Sequence, residues 1–141
     1  MFISCRGIKK SFGDRMVLNG IDLDIGRGDR IGLVGRNGSG KTTLANILTG
    51  CLDYDEGSMV TAAEQIKIGY LRQTQAEAGP FSQVVNGEFQ RLTSYLGMNQ
   101  VQEWSQERLQ NLSGGEKTKI ALAGILASAP DLLILDEPTN H

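Results

Sequence analysis

The order of apolar and polar residues predicts strands in four parts of the chain. Residues 2–25 form two strands around a turn at 12–15, because apolar residues alternate with aspartates along the second strand. Residues 57–68 indicate another pair of strands. Two short apolar runs, 31–34 and 132–135, are typical of strands that a parallel sheet buries on both faces.

Helices are predicted where apolar residues recur every three or four positions. These helices run from about Lys41 to Gly50, from Ser82 to Leu96, and from Ser113 to about Ser128, where Pro130 follows. In the first of them, Leu44, Ile47, Leu48 and Cys51 share one face. The stretch 100–110 is rich in Gln and Glu and predicts a short exposed helix or loop. Strands alternating with helices indicate an α/β fold.

Composition narrows the class of protein. The 141 residues suffice for one core, and a net charge of -2 argues against a globally basic nucleic-acid binder. No apolar run approaches the ~18 residues of a membrane span, so any membrane partner has to be another polypeptide. The N-terminus lacks the features of a signal peptide, and Cys5 and Cys51 have no metal-ligand spacing. We expect two reduced cysteines in a cytoplasmic protein.

A glycine-rich segment between the strand at 31–34 and the first helix carries the clearest chemistry. It consists of Gly35, Arg36, Asn37, Gly38, Ser39, Gly40, Lys41 and Thr42 and fits the phosphate-loop pattern G-x-x-x-x-G-K-[ST]. Such a loop binds a polyphosphate with backbone N–H groups and with the positive end of the helix. We expect Lys41 to contact the β- and γ-phosphates, Thr42 to bind Mg²⁺, and Thr43 to add a phosphate contact.

An acidic pair follows the strand at 132–135. The carboxyl end of a parallel strand is where α/β sheets bind ligands, and Asp136 and Glu137 lie there. We expect Asp136 to bind Mg²⁺, and Glu137 to act as general base on the attacking water. Without Lys41 and Thr42 elsewhere in the chain, a solvent-exposed acidic turn would explain Asp136 and Glu137 as well as a catalytic pair does.

Residues 112–117, Leu-Ser-Gly-Gly-Glu-Lys, resemble the signature motif of the ATP-binding-cassette (ABC) family. The resemblance implies that Phe12 stacks on adenine, and that Gln73 contacts both Mg²⁺ and the lytic water. The signature residues Ser113, Gly114, Gly115 and Glu116 would contact the γ-phosphate of a nucleotide held by a second ABC domain. The implied assembly is a head-to-tail pair of domains with ATP sandwiched between them.

The same resemblance implies the domain plan. A P-loop NTPase core would comprise 31–56 and 129–141, and an antiparallel β subdomain would comprise 1–30 and 57–72. The helical and signature region would cover 74–128. The C-terminal part of the family's domain is not represented in these residues.

Within the family, several details resemble the translation-associated ABC-F branch. The tail 136–141, Asp-Glu-Pro-Thr-Asn-His, resembles the start of that branch's N-H-L-D loop, and 117–119, Lys-Thr-Lys, also fits it. The segment 73–113 is short for a subdomain that docks on transmembrane subunits. The expected partner is therefore the ribosome. The ATP-binding subunit of a membrane ABC transporter, whose partner would be a transmembrane subunit, remains the alternative.

The resemblance also predicts what these residues do alone. An intact parent would hydrolyse ATP, but the family's switch histidine is not represented, since His141 belongs to the acidic-pair loop. This fragment, or truncated gene product, should therefore be poorly active, and a nucleotide-binding fragment without turnover is a further alternative. We also expect 31–34 to pair with 132–135 on one edge only, so that the isolated chain self-associates or is marginally stable even without ATP.

Overall fold

A computed structural model of the chain describes residues 1–62, 66–72 and 87–136. The chain divides into two compact units, 1–66 and 67–141. Each unit is described by itself below. The three-part domain plan expected from the family resemblance remains a prediction.

The first unit is built on a three-stranded antiparallel sheet in the order β2-β1-β3. Strand β1 is Ile3–Phe12, β2 is Arg15–Ile25 and β3 is Glu56–Thr61. The two-residue connection between β1 and β2 includes Gly13 with a φ of 58°, a conformation that glycine adopts without strain. This hairpin confirms the two strands and the turn predicted for 2–25.

Helix α1, Lys41–Leu48, contributes the other half of the first unit's core. The buried apolar side chains of this unit are Ile3, Cys5, Ile8, Leu18, Ile25, Leu44, Ala45, Ile47 and Leu48. The predicted helical face is correct except at Cys51, which is exposed and lies beyond the helix. The helix ends before it because Gly50 has a φ of 73°.

The prediction of a buried strand at 31–34 is wrong. The segment forms no strand, and Ile31, Leu33 and Val34 are exposed, Val34 to 95%. A buried parallel strand needs hydrogen-bonded neighbours, and the described sheet of the first unit contains only β2, β1 and β3. Among the described residues, the backbone of 31–34 therefore has no ladder to join.

The second unit combines a two-stranded parallel sheet with a group of helices. Its elements are β4 (Ile68–Leu71), α2 (Gly87–Tyr95), a 3₁₀ turn (Val101–Glu103), α3 (Gln106–Gln110), α4 (Gly114–Ala127) and β5 (Leu132–Leu135). Strands β4 and β5 pair in register from Ile68 opposite Leu132 to Leu71 opposite Leu135. Strand β4, grouped with the antiparallel subdomain from the sequence, thus pairs with β5. Leu135 is 44% exposed, so β5 is less buried than predicted.

The helices of the second unit pack around their own apolar cluster. Its buried members are Phe89, Met98, Val101, Leu112, Ile120 and Ala123. A Cβ atom at Gly69 would collide with Ile125 Cγ2 of α4, so the absence of a side chain on β4 permits this close approach. The structure confirms helices within the predicted spans 82–96 and 113–128, whereas Val85 lies outside the described residues.

The exposed apolar segment 31–34 gives a testable expectation. Three large apolar side chains beside backbone groups without a ladder favour association between copies. We expect the 141-residue chain to sediment as oligomers without nucleotide, and Val34→Lys to shift it toward the monomer. The matched control is Val60→Lys, because Val60 is 64% exposed on β3. Monomeric wild-type protein, or dissociation caused by Val60→Lys alone, would contradict this expectation.

Candidate nucleotide-binding site

The glycine-rich loop curls around the ammonium group of Lys41. Lys41 Nζ donates to the carbonyl oxygens of Gly35 at 2.8 Å and Arg36 at 3.1 Å. A turn within the loop is closed by the backbone N–H of Ser39, which donates to the Arg36 carbonyl at 3.1 Å. The carbonyls of Gly35 and Arg36 thus hold the lysine, and its positive charge lies against the start of the loop.

A side chain would be obstructed at two glycines of the loop, by the backbone conformation and β2 at Gly40, and by a single rotatable hydroxyl at Gly35. Gly40 has a φ of 96°, and a Cβ atom there would lie 2.7 Å from Leu18 Cδ2 of β2. A Cβ atom at Gly35 would lie 2.6 Å from Ser39 Oγ. The glycine spacing read from the sequence therefore has a steric basis in the described fold.

The N-terminus of α1 follows this loop directly. Its N-cap residue is Gly40, no side chain caps it, and its first turn contains no acidic residue. The positive end of the helix dipole at Lys41, Thr42 and Thr43 is therefore not neutralised by a carboxylate of its own first turn. A loop of backbone amides, a lysine and a helix N-terminus together form a site suited to a polyphosphate.

Phe12, the predicted adenine platform, lies at the end of β1 and is 51% exposed. Lys10 Nζ lies 5.7 Å from the centroid of the Phe12 ring. Asp55 holds this lysine through a 2.9 Å bond and also accepts a 2.7 Å bond from the backbone N–H of Ser11. The end of β1 is therefore held in place beside a half-exposed aromatic ring. Sequence reasoning missed Lys10 and Asp55, which lie 45 residues apart.

These contacts predict a pH dependence. Hydrogen bonding by Lys10, and then by the Ser11 N–H, lowers the pKa of Asp55. Because the folded value lies below the unfolded value of about 4, the stabilisation is complete above that pH and is lost as pH falls through the folded value. We expect the free-energy difference between wild type and Asp55→Asn to shrink below about pH 4 in urea titrations. Asp53→Asn, at an exposed carboxylate two positions away, is the control. A difference that stays constant down to pH 2 would contradict this.

In the second unit, Asp136 follows β5 as predicted. Its side chain is buried, at 7% exposure, and Oδ2 accepts a 3.4 Å hydrogen bond from the Tyr70 hydroxyl. Its backbone N–H donates to the Leu71 carbonyl at 2.9 Å. A buried carboxylate at the end of two parallel strands suits a metal ligand. Gln73 and Glu137 lie outside the described residues.

The signature residues begin helix α4 with a capping box. Ser113 Oγ accepts a bond from the Glu116 N–H at 3.2 Å, and Glu116 Oε2 accepts one from the Ser113 N–H at 2.9 Å. The Ser113 N–H and hydroxyl lower the pKa of Glu116. Gly114 and Gly115 form the first turn. The structure therefore builds the Ser-Gly-Gly-Glu segment as an ordered helix start.

A second contact set beside the signature was also missed from the sequence. Arg108 Nη2 lies 3.6 Å from Glu116 Oε1, and the same guanidinium lies 4.1 Å from the centre of the Trp104 ring. The sequence pattern contains no signal for this contact, because the residues come from separate elements. It ties α3 to the start of α4.

The structure assembles the predicted residues in two groups. Phe12 and the phosphate loop belong to the first unit, and Asp136 and the signature to the second.

Within the described ranges, no group of three His, Cys, Asp or Glu side chains could hold a metal ion. None of the helices in those ranges is long and apolar enough to cross a bilayer.

The glycine-rich loop and the helix that follows it are those of a P-loop nucleotide-binding protein. A family model described as "ABC transporter" matches residues 18–140. The chain therefore belongs to the ABC family, whose domains bind ATP and are in general ATPases.

Sequence similarity to known proteins supports membership of the ABC family. The chain is 40% identical to "Probable ATP-binding protein YheS" of Escherichia coli K12, over 95% of this chain and 22% of that protein. It is 36% identical to "Ribosome protection protein VmlR" of Bacillus subtilis, over 99% of the chain and 27% of that protein. It is also 36% identical to "Aliphatic sulfonates import ATP-binding protein SsuB 3" of Rhodococcus jostii, over 96% of this chain and 53% of that protein. The chain thus spans about a fifth to a half of these relatives.

The fold agrees with solved ABC domains. A crystal structure of an ATP-binding cassette of an ABC transporter, in its ADP conformation, matches with a TM-score of 0.73. The match covers 99% of this chain and 69% of that one at 21% identity. The predicted α/β P-loop fold, incomplete relative to that domain, is confirmed.

Proposed function

We propose that the first unit binds the triphosphate of Mg-ATP in the phosphate loop. The observation that supports this proposal most strongly is the loop built around Lys41, with Gly40 admitting no side chain, in front of an uncapped helix. In this role Lys41 contacts the β- and γ-phosphates, Thr42 binds Mg²⁺, and Thr43 adds a phosphate contact. The exposed ring of Phe12 stacks on adenine.

We further propose that the intact protein hydrolyses the bound ATP. Asp136 presents a buried carboxylate, an oxygen ligand of the kind that Mg²⁺ prefers. Its pairing with the Thr42 hydroxyl on one ion rests on the family motif. When bound, the ion neutralises phosphate charge. Glu137 accepts a proton from the attacking water, and Gln73 orients that water. These last two roles rest on the family motif, since both residues lie outside the described ranges.

The signature has a separate role in this proposal. The start of α4 is a helix N-terminus with two glycines, which Ser113 and Glu116 cap in the structure. Its role as a second anion site rests on the family's signature motif, in a chain whose phosphate loop already serves one nucleotide. Ser113, Gly114, Gly115 and Glu116 therefore contact the γ-phosphate held by a second ABC domain. The working assembly is a head-to-tail pair of domains.

For the cellular role, we propose an ABC-F protein that acts on ribosomes in the cytoplasm. Support comes from the Lys-Thr-Lys sequence at 117–119, the tail 136–141, and the 36% identity to VmlR. The ATP-binding subunit of a transporter is the second candidate, because SsuB 3 is equally identical over nearly the same share of the chain.

Ribosome co-sedimentation of the full-length protein that contains this chain separates the two candidates. The Glu137→Gln variant should retain ATP, and we expect it to pellet with ribosomes when ATP is present and to remain in the supernatant when ADP replaces it. The transporter candidate would be favoured if ribosome binding did not depend on ATP. It would also be favoured if the protein co-purified with a membrane subunit and did not bind ribosomes.

A further inference from the structure

Arg15 begins β2 directly opposite Phe12. The two residues are register partners across the two-residue turn between β1 and β2. Directly opposed residues in an antiparallel pair have Cβ atoms about 5 Å apart. A contact that fixes the position of Arg15 therefore also restricts the position of the Phe12 ring.

Arg15 also reaches the phosphate loop. Its Nη2 donates to the Gly38 carbonyl at 3.3 Å, across 23 positions of sequence. Gly38 has a φ of 78°, and a Cβ atom there would lie 3.4 Å from the same Nη2. A glycine at this position thus permits the guanidinium to lie against the loop backbone. Arg15 contacts the hairpin and the loop at once.

In the described part of the chain no carboxylate forms an ion pair with Arg15, whereas Arg6 pairs with Asp24 and Lys10 with Asp55. A guanidinium has five N–H donors, and the bond to Gly38 uses one of them. The others remain for the hydrogen-bond acceptors of a bound nucleotide. Lys10, which lies over the Phe12 ring, is neutralised by Asp55, whereas Arg15, the register partner of Phe12, has no ion pair among the described residues.

We propose that Arg15 is a nucleotide-site residue that couples recognition of the base to recognition of the polyphosphate. It tethers the Phe12 hairpin to the phosphate loop through the Gly38 carbonyl, so that the stacking ring and the phosphate cradle keep a fixed separation. A base and a triphosphate on one ligand then bind together, because the two half-sites are already positioned. This inference rests on the proposed binding of ATP.

The test compares Mg-ATP with Mg-tripolyphosphate, which has the phosphates but no base. Calorimetric titrations of wild type, Phe12→Ala, Arg15→Met and the double variant give the ratio of the two affinities for each protein. Stacking of a base on an aromatic ring contributes about ten-fold or more in affinity, so wild type should prefer ATP by about that factor. Arg15→Met should lower this ratio toward that of Phe12→Ala, and the double variant should lower it no further. Arg15→Lys, which keeps a charged donor, should restore part of the ratio.

The controls separate the alternatives. Arg30→Met removes an exposed arginine of the same unit and should leave the ratio unchanged. Equal weakening of both ligands by Arg15→Met would mean a general charge effect and would overturn the coupling, as would an unchanged ratio or a wild-type ratio of one. If wild type binds neither ligand, the proposed nucleotide function itself fails. Should Arg15→Met not fold, Arg15→Gln gives the same comparison.

Discussion

Lys41→Ala should remove measurable binding of Mg-ATP to this chain. The ammonium group lies between the carbonyls of Gly35 and Arg36, at the start of a loop suited to a polyanion. A hydrogen bond to a charged group contributes about 1.5–3 kcal/mol, so one lost phosphate contact alone weakens binding on the order of 10- to 100-fold. Loss of the loop's internal contacts adds to this. Titration calorimetry measures the change.

The control for this prediction is Lys119→Ala, which removes an exposed lysine from α4 without touching the phosphate loop. It should bind ATP as wild type does. Thermal melting of both variants shows whether the fold is intact. Equal affinities of wild type and a folded Lys41→Ala protein would refute the assignment of the loop.

Glu137→Gln should lower ATP hydrolysis by the full-length protein on the order of 10²-fold or more. Loss of a general base has an effect of this size, and glutamine keeps the shape of the side chain while removing its basicity. Binding of ATP should persist, because the phosphate loop is unchanged. Phosphate release under single-turnover conditions measures the chemical step directly.

Two comparisons sharpen this second prediction. Glu103→Gln, a carboxylate at the 3₁₀ turn, should leave hydrolysis unchanged. The 141-residue chain alone should release phosphate near the background rate, because ABC domains work in pairs. A full-length Glu137→Gln protein with normal turnover would rule out Glu137 as the base.

Local patterns in the sequence were sufficient for the hairpin, the glycine-rich turn before α1 and the helix starts. A two-residue turn with Gly13, the glycine spacing at 35–40, and a Ser113-to-Glu116 capping box each act over a few residues. Their physical causes are steric or involve neighbouring backbone groups. Such causes are readable without knowledge of the tertiary structure.

Pairing between distant segments could not be derived in the same way. The apolar run at 31–34 has the composition of a buried strand, yet its burial depends on partners, which the described residues do not provide. Strand β5 pairs with β4, and nothing in the sequence of β4 indicates which strand it pairs with. Contacts of the site's surroundings, such as Lys10 with Asp55 and Arg108 with Glu116, join separate elements and were missed for the same reason.

Hydrogen–deuterium exchange, with and without Mg-ATP, tests the central claim most directly. If the polyphosphate is held by backbone amides of the loop and the start of α1, peptides covering 35–48 should exchange more slowly when ATP is present. The same peptides of Lys41→Ala should show no change. Unaltered exchange at 35–48 in wild type, under conditions where ATP is shown to be bound, would contradict the account.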